Sequence, residues 1–403
     1  MTADERTGMA LDGLRVIEMG QLLAGPFCAQ LLGDFGAEVI KIEPPGRGDA
    51  MREWGREKPH GLSLWFPVLG RNKKSVTINL RTDDGQELVR RLVAHADVLV
   101  ENFRPGTLER WNLGFETLSA INPRLILTRV TGYGQTGPYA RRAGFGAIGE
   151  AMGGIRYTTG SPDVMPSRVG VSLGDSLAGT FGALGTLLAL HARERTGLGQ
   201  VVDSAIYEAV LALMESLLPE YELAGYTRER TGSVLPMIAP SNVYPTRGGD
   251  LILIAANQDS VFGRLTEVMG QPELAEDGRY KTHTARGHNL EELDEVIAGW
   301  SSGWDADELL DALHEAGVPA GRIFRAKEML EDPHYAAREM IVRLTHPEFG
   351  QFPMQNVVPK LSDTPGRIRH VGPELGAHTE EILHGLVGLS YEELEALHDS
   401  GTV

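Results

Sequence analysis

Cysteine is almost absent from this sequence, which has only Cys28 among 403 residues. A single cysteine excludes an internal disulfide and a zinc site of the Cys-x-x-Cys type, and we interpret Cys28 as a small apolar residue inside a helix. The 12 histidines are scattered, without the H-x-H or H-E-x-x-H spacings of metal sites. We therefore predict that the chain binds no metal.

Positive charge is also scarce, since 38 Lys and Arg stand against 55 Asp and Glu and give a formal net charge of -17. Nucleic acids and anionic membrane surfaces are bound through basic patches. The composition therefore predicts that the chain binds neither a nucleic acid nor a membrane. A small anionic ligand remains compatible with this charge if a few Arg and Lys residues gather locally.

Long hydrophobic runs are missing as well. The longest apolar window, residues 176–192, is rich in glycine and shorter than the ~20 residues that cross a bilayer, so it predicts a buried core helix. The N-terminal "MTADERTGMALDG" has acidic residues and no apolar run, which disfavours a signal peptide. These features predict a cytoplasmic enzyme.

Short β-branched runs alternate with helical segments in the first third of the chain. "LRVIEMG", "AEVIKIE", "KSVTINL", "DVLVENF" and "RLILTRVTGYG" are typical of strands, whereas "GPFCAQLLGDFG" and "DDGQELVRRLVAHA" are typical of helices. This alternation predicts an α/β fold with a parallel, Rossmann-like sheet. Ligands of such sheets bind beyond the carboxyl ends of the strands, so residues 43–49, 102–104 and 132–137 are candidates for ligand contacts.

A chain of 403 residues is too long for one compact core, which suggests more than one domain. Residues 144–224 are helical in pattern, and the apolar stretch 201–225 predicts a long buried helix, packed against a second subunit. "SNVYPTRGGDLILIAAN" predicts a hairpin that turns at "RGGD", followed by helices near 258–269, 289–299 and 305–316. We predict a large domain at 1–227, a smaller α+β domain at 228–328, and a C-terminal segment at 329–403 that returns to the large domain.

Dinucleotide binding is one alternative for a chain that begins with a βαβ unit. The first turn, "GQLLAGPF", is not G-x-G-x-x-G, and Pro26 stands where a pyrophosphate would approach the helix. Glu43, at the end of the second predicted strand, would suit a ribose hydroxyl. Because the fingerprint is weak, a nicotinamide-dependent dehydrogenase is disfavoured.

Asp175 is a candidate for chemistry of another kind. It lies in "GVSLGDSLAGTFGALG", between Gly174 and small residues that leave room for a substrate. The positive end of a helix dipole would keep its carboxylate ionised at neutral pH, and an ionised carboxylate can attack an activated acyl group to form an anhydride. Aspartate is also a favoured N-cap, and the local sequence alone favours that structural role.

Basic residues follow several of the predicted strands in the first half of the chain. Each alone is typical of a solvated surface, but as a group they favour a phosphorylated ligand. They are Arg47, Arg71, Lys73, Lys74, Arg81, Arg104 and Arg110.

Five ordered segments resemble the class III (family III) CoA-transferases, a family that also contains the α-methylacyl-CoA racemases. The segments are "LDGLRVIEMGQLLAGPFCAQLLGDFGAEVIKIEPPGRGD", "RNKKSVTINL", "VENFRPGTLERWNLG", "GYGQTGPYARRAGFG" and "GDSLAGTFGALGTLLALHARERTGLGQVVD". The similarity is dense over residues 10–225 and thinner beyond. It implies an interlocked homodimer, in which each subunit has a large Rossmann-like domain that binds CoA and a smaller domain, with the active site at the dimer interface.

The resemblance also assigns roles to residues. The family's nucleophilic aspartate falls on Asp175, which would attack the donor thioester to give an aspartyl anhydride and then an aspartyl-CoA thioester, with no tightly bound cofactor. Ala24 falls where the backbone approaches the thioester, Arg47 on a loop beside the phosphates, and Gly132 and Tyr133 beside the pantetheine. The remaining implied contacts with CoA are Asn79, Leu80, Arg81, Asn102, Phe103, Arg104 and Arg110.

Two departures from the family narrow the substrate. Oxalate-type members carry a glutamine that aligns with Leu23, together with a glycine run in the small domain that is missing here, so formate and oxalate are disfavoured. Racemases carry a catalytic histidine where this chain has Phe145, and without that base a 1,1-proton transfer loses one of its partners.

We predict a CoA-transferase that moves CoA from a donor of the succinyl-CoA type to a small carboxylic acid. The resemblance is to short bacterial members that act on branched dicarboxylates of the mesaconate, citramalate, itaconate or glutarate type. A racemase of the same fold and a non-catalytic CoA-binding protein are the alternatives.

Overall fold

Six parallel strands form the main sheet of the computed structural model, which describes residues 8–403. They are β1 Arg15–Glu18, β2 Glu38–Glu43, β3 Lys73–Thr77, β4 Val98–Glu101, β5 Ile126–Thr131 and β6 Val201–Ala205. Their order is β3-β2-β1-β4-β5-β6, so the chain reverses its direction of travel across the sheet between β1 and β4. The predicted α/β fold with a parallel sheet is confirmed, and a ligand crevice is expected where the order reverses.

Helices cover both faces of this sheet, because alternate strand residues point in opposite directions and both sets are apolar. Val16, Val39 and Val98 pack in one core, and Ile17 and Ile40 belong to the opposite core. The helices in this part of the chain are α1 Ala24–Asp34, α2 Phe66–Leu69, α3 Asp83–Val93, α4 Thr107–Arg110, α5 Phe115–Ile121, α6 Gly146–Met152, α7 Ile155–Thr158, α8 Leu173–Thr196, α9 Ile206–Leu211 and α10 Leu217–Ala224.

Helix α1 carries Cys28 in the core shared with α8. Its side chain is fully buried, and burial raises the pKa of the thiol to about 12. The interpretation of Cys28 as a small apolar core residue is confirmed.

Helix α8 is longer and more exposed than the sequence predicts. It has 24 residues and extends beyond the apolar window 176–192 at both ends. By length and composition it is the one helix in residues 8–403 that could cross a membrane, so the prediction that this segment is too short to do so is wrong. Small buried residues, among them Ala178, Gly182 and Ala183, pack it against α1 and the sheet, as expected of a core helix. The other side of α8 leaves apolar residues exposed: Phe181, Leu184, Leu187 and Leu188.

The long helix predicted over 201–225 is wrong. The stretch forms strand β6, then α9, a turn and α10. "VVDSA" pairs with β5 from Leu127↔Val201 to Thr131↔Ala205, because its β-branched residues suit the edge of the sheet. Further along, Glu215 adopts a positive φ of 51° in the turn that separates the two helices.

The described residues divide into two compact units, one formed by residues 8–156, 169–218 and 336–403 and the other by 157–168 and 219–335. These bounds differ from the predicted domains at 157–168, at 219–227 and at 329–335, all of which belong to the smaller unit. Within the smaller unit, Tyr157 donates a hydrogen bond to Glu229 and Gly232 donates one to Gly160, which explains why 157–168 joins it.

The smaller unit contains the antiparallel strands β7 Ser241–Pro245, β8 Leu251–Ala255 and β9 Ala320–Arg322. Pro245 pairs with Leu251 across the predicted "RGGD" turn, so the hairpin is confirmed. Its helices are α11 Asp259–Val268, α12 His283–His288, α13 Leu290–Ser301, α14 Ala306–Glu315 and α15 Ala326–Glu331, followed by α16 Pro333–Ala337 at the boundary. The three helices predicted in this region correspond to α11, α13 and α14.

The last part of the chain folds with the larger unit. It comprises the hairpin strands β10 Ile341–His346 and β11 Gly350–Gln355 and the helices α17 Thr379–Gly385 and α18 Tyr391–Asp399. Thr379 accepts a hydrogen bond from the backbone of Thr77 in β3, and the carbonyl of Thr402 accepts one from the backbone of Asn79. The C-terminal residues therefore contact the carboxyl end of β3.

Candidate active site

A turn between β1 and α1 lies at the point where the strand order reverses. The backbone of Gln21 exchanges two hydrogen bonds with the Asn102 side chain, one to Oδ1 and one from Nδ2, each 2.8 Å long. A Cβ atom on Gly25 would lie 3.2 Å from Asn102 Cγ, so the glycine permits this approach. Asn102 thus fixes the turn that leads to Ala24, another predicted contact residue.

A cavity of about 590 Å³ opens at the carboxyl ends of β1, β2 and β3. Five of the predicted contacts with CoA line it: Arg47, Asn79, Leu80, Arg81 and Phe103. Phe103 packs edge-to-face on Trp111, with ring centroids 5.2 Å apart. The cavity therefore combines aromatic surface with exposed guanidinium groups, which suits an adenine ring and phosphates.

Only part of the predicted basic cluster is accessible. Arg47, Arg81, Arg104 and Arg110 are exposed. The other three face carboxylates instead: Arg71 bonds to Asp34, Lys73 to Glu18, and Lys74 to Glu38 and Glu381. Arg71 and Lys73 are also buried, so the prediction that they contribute to a phosphate site is wrong. Lys74 is half-buried, and its contribution stays a prediction.

The Glu43 carboxylate is likewise bonded to other groups of the protein. Its carboxylate accepts hydrogen bonds from Arg52, Ser75 and the backbone of Asp49. Although burial raises the pKa of Glu43, the bonds from Arg52 prevail and lower it to about 2. The suggestion that Glu43 could bind a ribose hydroxyl is therefore wrong.

Asp175 lies in the first turn of α8, where the helix dipole favours a carboxylate. Ser172 is the N-cap residue and Asp175 is the third residue of the helix, so the N-cap role considered for Asp175 is wrong. Residues 170–174 match the G-x-S-x-G pattern of hydrolases, but that motif joins a strand to a helix and no strand in residues 8–403 ends there.

One glycine, Gly146, lies directly against the Asp175 carboxylate. A Cβ atom on Gly146, at the start of α6, would lie 2.0 Å from Asp175 Oδ2. One helical turn beyond Asp175, a Cβ atom on Gly179 would lie 2.7 Å from the carbonyl oxygen of Ala24. These close approaches bring α1 and α6 against the helix that carries Asp175.

Gly132 and Tyr133 follow the end of β5, close to the segment that contacts Asp175. A Cβ atom on Gly132 would lie 2.9 Å from Gly144 Cα, and one on Gly144 would lie 3.3 Å from the Tyr133 ring. Since Gly144 precedes Gly146 by two residues, the predicted pantetheine contacts adjoin the segment that touches Asp175. The larger unit thus places an aromatic, arginine-bearing cavity and a glycine-lined carboxylate on one sheet.

A sequence model of the family described as "CoA-transferase family III" matches residues 11–379. The chain belongs to CoA-transferase family III. The succinyl-CoA–D-citramalate CoA-transferase of Chloroflexus aurantiacus is 60% identical over 395 residues, 98% of each chain. The beta subunit of the succinyl-CoA–L-malate CoA-transferase of Chloroflexus aurantiacus is 42% identical over 98% of this chain and 99% of its own.

Solved structures of the family have the same fold. A CAIB/BAIF family protein from Brucella suis superposes with a TM-score of 0.84 at 37% identity, covering 94% of this chain and all of that one (100%). The predicted resemblance and the prediction of an enzyme are confirmed: the chain is a family III CoA-transferase.

Phe145, which the resemblance aligns with a racemase histidine, lies at the start of α6. Phe145 is the N-cap residue of α6 and its side chain is 64% exposed. It immediately precedes Gly146, so it stands beside the Asp175 niche without offering a proton acceptor. This arrangement supports transfer over racemisation.

Two residues of this family III site were not singled out from the sequence. Trp111 lines the cavity that holds Phe103, and it could have been noticed as a second aromatic in the same segment. Glu150 is buried in α6, where its Oε1 accepts a hydrogen bond from Gly174 N at 3.2 Å and its Oε2 accepts one from Arg156 at 3.0 Å. A glutamate among small apolar residues, as in "GEAMGG", was the available signal for it.

Proposed function

We propose that this chain transfers CoA from succinyl-CoA to D-citramalate. The 60% identity to a succinyl-CoA–D-citramalate CoA-transferase, over 98% of both chains, carries the proposal. The cavity that holds Arg47, Arg81 and Phe103 supports it, since it suits the nucleotide of a CoA thioester. The reaction needs no bound cofactor, because the thioester is itself the substrate, and we place it in the cytoplasm.

The proposal also predicts how strongly the enzyme distinguishes between two similar acceptor acids. L-malate, named for the 42% identical relative, is a 2-hydroxy dicarboxylate with the same four-carbon main chain, and citramalate carries one additional methyl group at C2. A pocket that accommodates this methyl group gains about 1–3 kcal/mol from its burial, roughly 10–200-fold in selectivity. We therefore expect D-citramalate to be preferred over malate by a factor in that range.

A panel of acids tests the proposal. The purified chain is given succinyl-CoA with D-citramalate, L-citramalate, L-malate, itaconate, mesaconate, glutarate or oxalate, and acyl-CoA products are separated and identified by mass spectrometry. D-citramalyl-CoA should form with the highest kcat/KM. A higher kcat/KM with any other acid would overturn the proposed acceptor, and α-deuteration of a chiral 2-methylacyl-CoA in deuterated water without any acid would indicate a racemase instead.

We propose Asp175 as the nucleophile. Its carboxylate oxygen attacks the succinyl thioester carbonyl, the C–S bond breaks, and CoA leaves as the thiolate. The thiolate then attacks the Asp175 carbonyl of the mixed anhydride and releases succinate, which leaves an aspartyl-CoA thioester. The acceptor carboxylate repeats these two steps in reverse, so that Asp175 is regenerated as the carboxylate and the acceptor leaves as its CoA thioester.

We also propose that two copies form the interlocked homodimer that the resemblance implies. The exposed apolar face of α8, formed by Phe181, Leu184, Leu187 and Leu188, supports an interface there, because exposed patches of this kind mark association sites. Light scattering after size exclusion should give twice the mass of one chain, and Leu184→Glu with Leu188→Glu should lower it. Since the L-malate relatives are named as alpha and beta subunits, a monomeric chain that becomes active only with a second gene product would overturn the homodimer.

A further inference from the structure

Four charged side chains are buried together next to the cavity. They are Glu18 at the end of β1, Lys41 in β2, Lys73 at the start of β3, and Asp49. Lys41 Nζ lies 2.6 Å from Glu18 Oε1 and 2.7 Å from Asp49 Oδ2. Lys73 Nζ lies 2.7 Å from the second Glu18 oxygen. Each of the four is at most 2% exposed, and we call them the Asp49 cluster. Burial of paired charges rarely improves stability over apolar packing. The reason for burying these four charges is therefore sought in the segments that they contact.

The Asp49 cluster holds the turn between β1 and α1, residues 19–23. Asp49 Oδ1 accepts a hydrogen bond of 2.9 Å from Leu22 N, and Lys41 Nζ donates one of 2.9 Å to the carbonyl of Gly20. Leu22 has a φ of 64°, a left-handed conformation that is unfavourable for leucine. The turn therefore keeps this conformation only while its partners hold it.

Asp49 also ends the loop that carries Arg47, residues 44–49. Its backbone N–H donates to Glu43 Oε2, and its Oδ1 accepts a second bond from Met51 N at the start of the next turn of helix. Although burial favours a neutral amine, Glu18 and Asp49 raise the pKa of Lys41 above its ordinary value, so Lys41 stays protonated. Gln21 of the turn and Arg47 and Gly48 of the loop line the same cavity.

We propose that Asp49 is a positioning residue that couples the nucleotide loop to the turn that precedes Ala24. When the CoA phosphates engage Arg47, the loop is ordered, and Asp49 passes this constraint to Leu22 N. Binding energy from the remote nucleotide is thereby used to orient the backbone that meets the thioester carbonyl. The inference rests on the proposed role of the cavity in binding CoA, but not on which acid is the acceptor.

Two thioesters of the same acid separate this coupling from a structural role. The parent and Asp49→Asn are assayed with the acyl-CoA that the parent uses and with its pantetheine thioester, which lacks the nucleotide. For Asp49→Asn we expect kcat with the CoA thioester to fall at least about tenfold, while its KM changes by less than about threefold. The kcat/KM for the pantetheine thioester should stay within about threefold of the parent.

The matched control is Asp34→Asn. Asp34 is 1% exposed and pairs with Arg71 at 2.6 Å, so the variant loses an equally buried charge without a contact to the turn or the loop. Asp34→Asn should lower the thermal unfolding midpoint, but the ratio of kcat/KM for the CoA thioester to kcat/KM for the pantetheine thioester should stay that of the parent. If Asp49→Asn does not fold, Leu22→Gly carries the same test, because it frees the backbone of the turn and leaves every buried charge in place.

Three outcomes would overturn the coupling. A rise in KM alone would mean that Asp49 serves only nucleotide binding. An equal fall in kcat/KM for both thioesters would mean a general structural role for Asp49. Unchanged kinetics with both thioesters would mean that Asp49 has no role in transfer. A parent that transfers CoA to a different acid contradicts the proposed acceptor and leaves this comparison valid, since both thioesters are made with the acid that the parent uses.

Discussion

The carboxylates of the Asp49 cluster are held by lysines and backbone donors, whereas Asp175 is packed against glycine. Asp49 Oδ1 accepts two N–H groups and its Oδ2 pairs with Lys41, and the residue is almost completely buried. Asp175 is half-buried in the first turn of α8, with Gly146 close to one of its oxygens. Both regions belong to the larger unit.

The difference teaches how the neighbours of a carboxylate decide what it can do. An aspartate whose oxygens all accept short bonds keeps one geometry but cannot meet a substrate carbonyl. Asp175 has Gly146 against one of its oxygens and lies in the first turn of a helix, where the dipole favours negative charge. The first arrangement suits a residue that positions the backbone, and the second suits a nucleophile.

The largest effect is expected at Asp175. Asp175→Asn should lower kcat by about 10⁴-fold or more, because the amide cannot form the anhydride and loss of a nucleophile abolishes covalent catalysis. The measurement is acyl transfer followed by mass spectrometry of the CoA products. Borohydride treatment of the parent during turnover should reduce the aspartyl-CoA thioester and so alter the mass of the peptide that contains Asp175. The same peptide of the variant should keep its mass.

The thermal unfolding midpoint of Asp175→Asn controls for folding. It should stay close to that of the parent, since the first turn of α8 keeps its backbone contacts. Transfer by the folded variant within about tenfold of the parent rate would rule out the nucleophile and reverse the comparison, because Asp175 would then be a structural residue as well.

Acid should destabilise the protein through the loss of the ion pairs around Glu43. The pKa of Glu43 lies at about 2, below its ordinary 4.5, because the bonds from Arg52 outweigh burial. Its contribution to stability is therefore complete above pH 4.5 and is lost as the pH falls toward 2, at most about 3 kcal/mol of the free energy of unfolding. Urea unfolding at successive pH values measures the loss.

Glu43→Gln should be less stable at pH 7 but show a flatter decline in acid, since the titrating group has gone. The exposed Glu116→Gln, a carboxylate in α5, serves as the control and should decline in parallel with the parent. If Glu43→Gln declined as steeply as the parent, the ion pairs around Glu43 would not be the acid-sensitive part of this region.

A substitution at Gly146 tests whether the contact between glycine and the Asp175 carboxylate matters for transfer. The Cβ of Gly146→Ala would lie 2.0 Å from Asp175 Oδ2, so the carboxylate must move by about an ångström. A misplacement of this size costs roughly 100-fold in kcat. The variant is measured under the same conditions as the parent, with KM for the CoA thioester expected to change much less than kcat.

Gly170→Ala is the matched control for this substitution. Gly170 is exposed and has no atom within 4 Å of the position of an added Cβ, so its variant should keep the parent rate. A Gly146→Ala enzyme with parent kcat would mean that the close contact with Asp175 is irrelevant to transfer.

Much of the sheet could be predicted because its strands are short β-branched runs between polar turns. The stretch 201–225 could not, since an apolar composition alone does not separate a buried helix from an edge strand followed by two short helices. Lys73 was assigned to the wrong role for a related reason. Its partner Glu18 lies 55 positions earlier in the chain, and the sequence does not reveal which cations are paired across such separations.

The candidate site was predicted in a similar, partial way. Arg47, Asn79, Leu80, Arg81 and Phe103 meet in one cavity because they follow neighbouring strands, which is a consequence of parallel topology. The contact between Gly146 and Asp175 depends on how α6 crosses α8, and residue spacing does not fix that crossing. The role of Asp175 came from the family resemblance and stays a prediction.

The smallest effect is expected at Glu150, which combines features of both regions. It is buried and paired with Arg156 like the carboxylates of the Asp49 cluster, yet it serves the helix that carries Asp175 by accepting a bond from Gly174 N. Glu150→Gln keeps that acceptor and loses the charge, so kcat should fall only about threefold, whereas Glu150→Ala leaves a buried N–H without its acceptor and should cost about tenfold or more. Glu194→Gln, an exposed change near the other end of α8, should do neither. If Gln proved as damaging as Ala, the charge would be what acts on Asp175; if both matched the parent, the niche would depend on glycine alone.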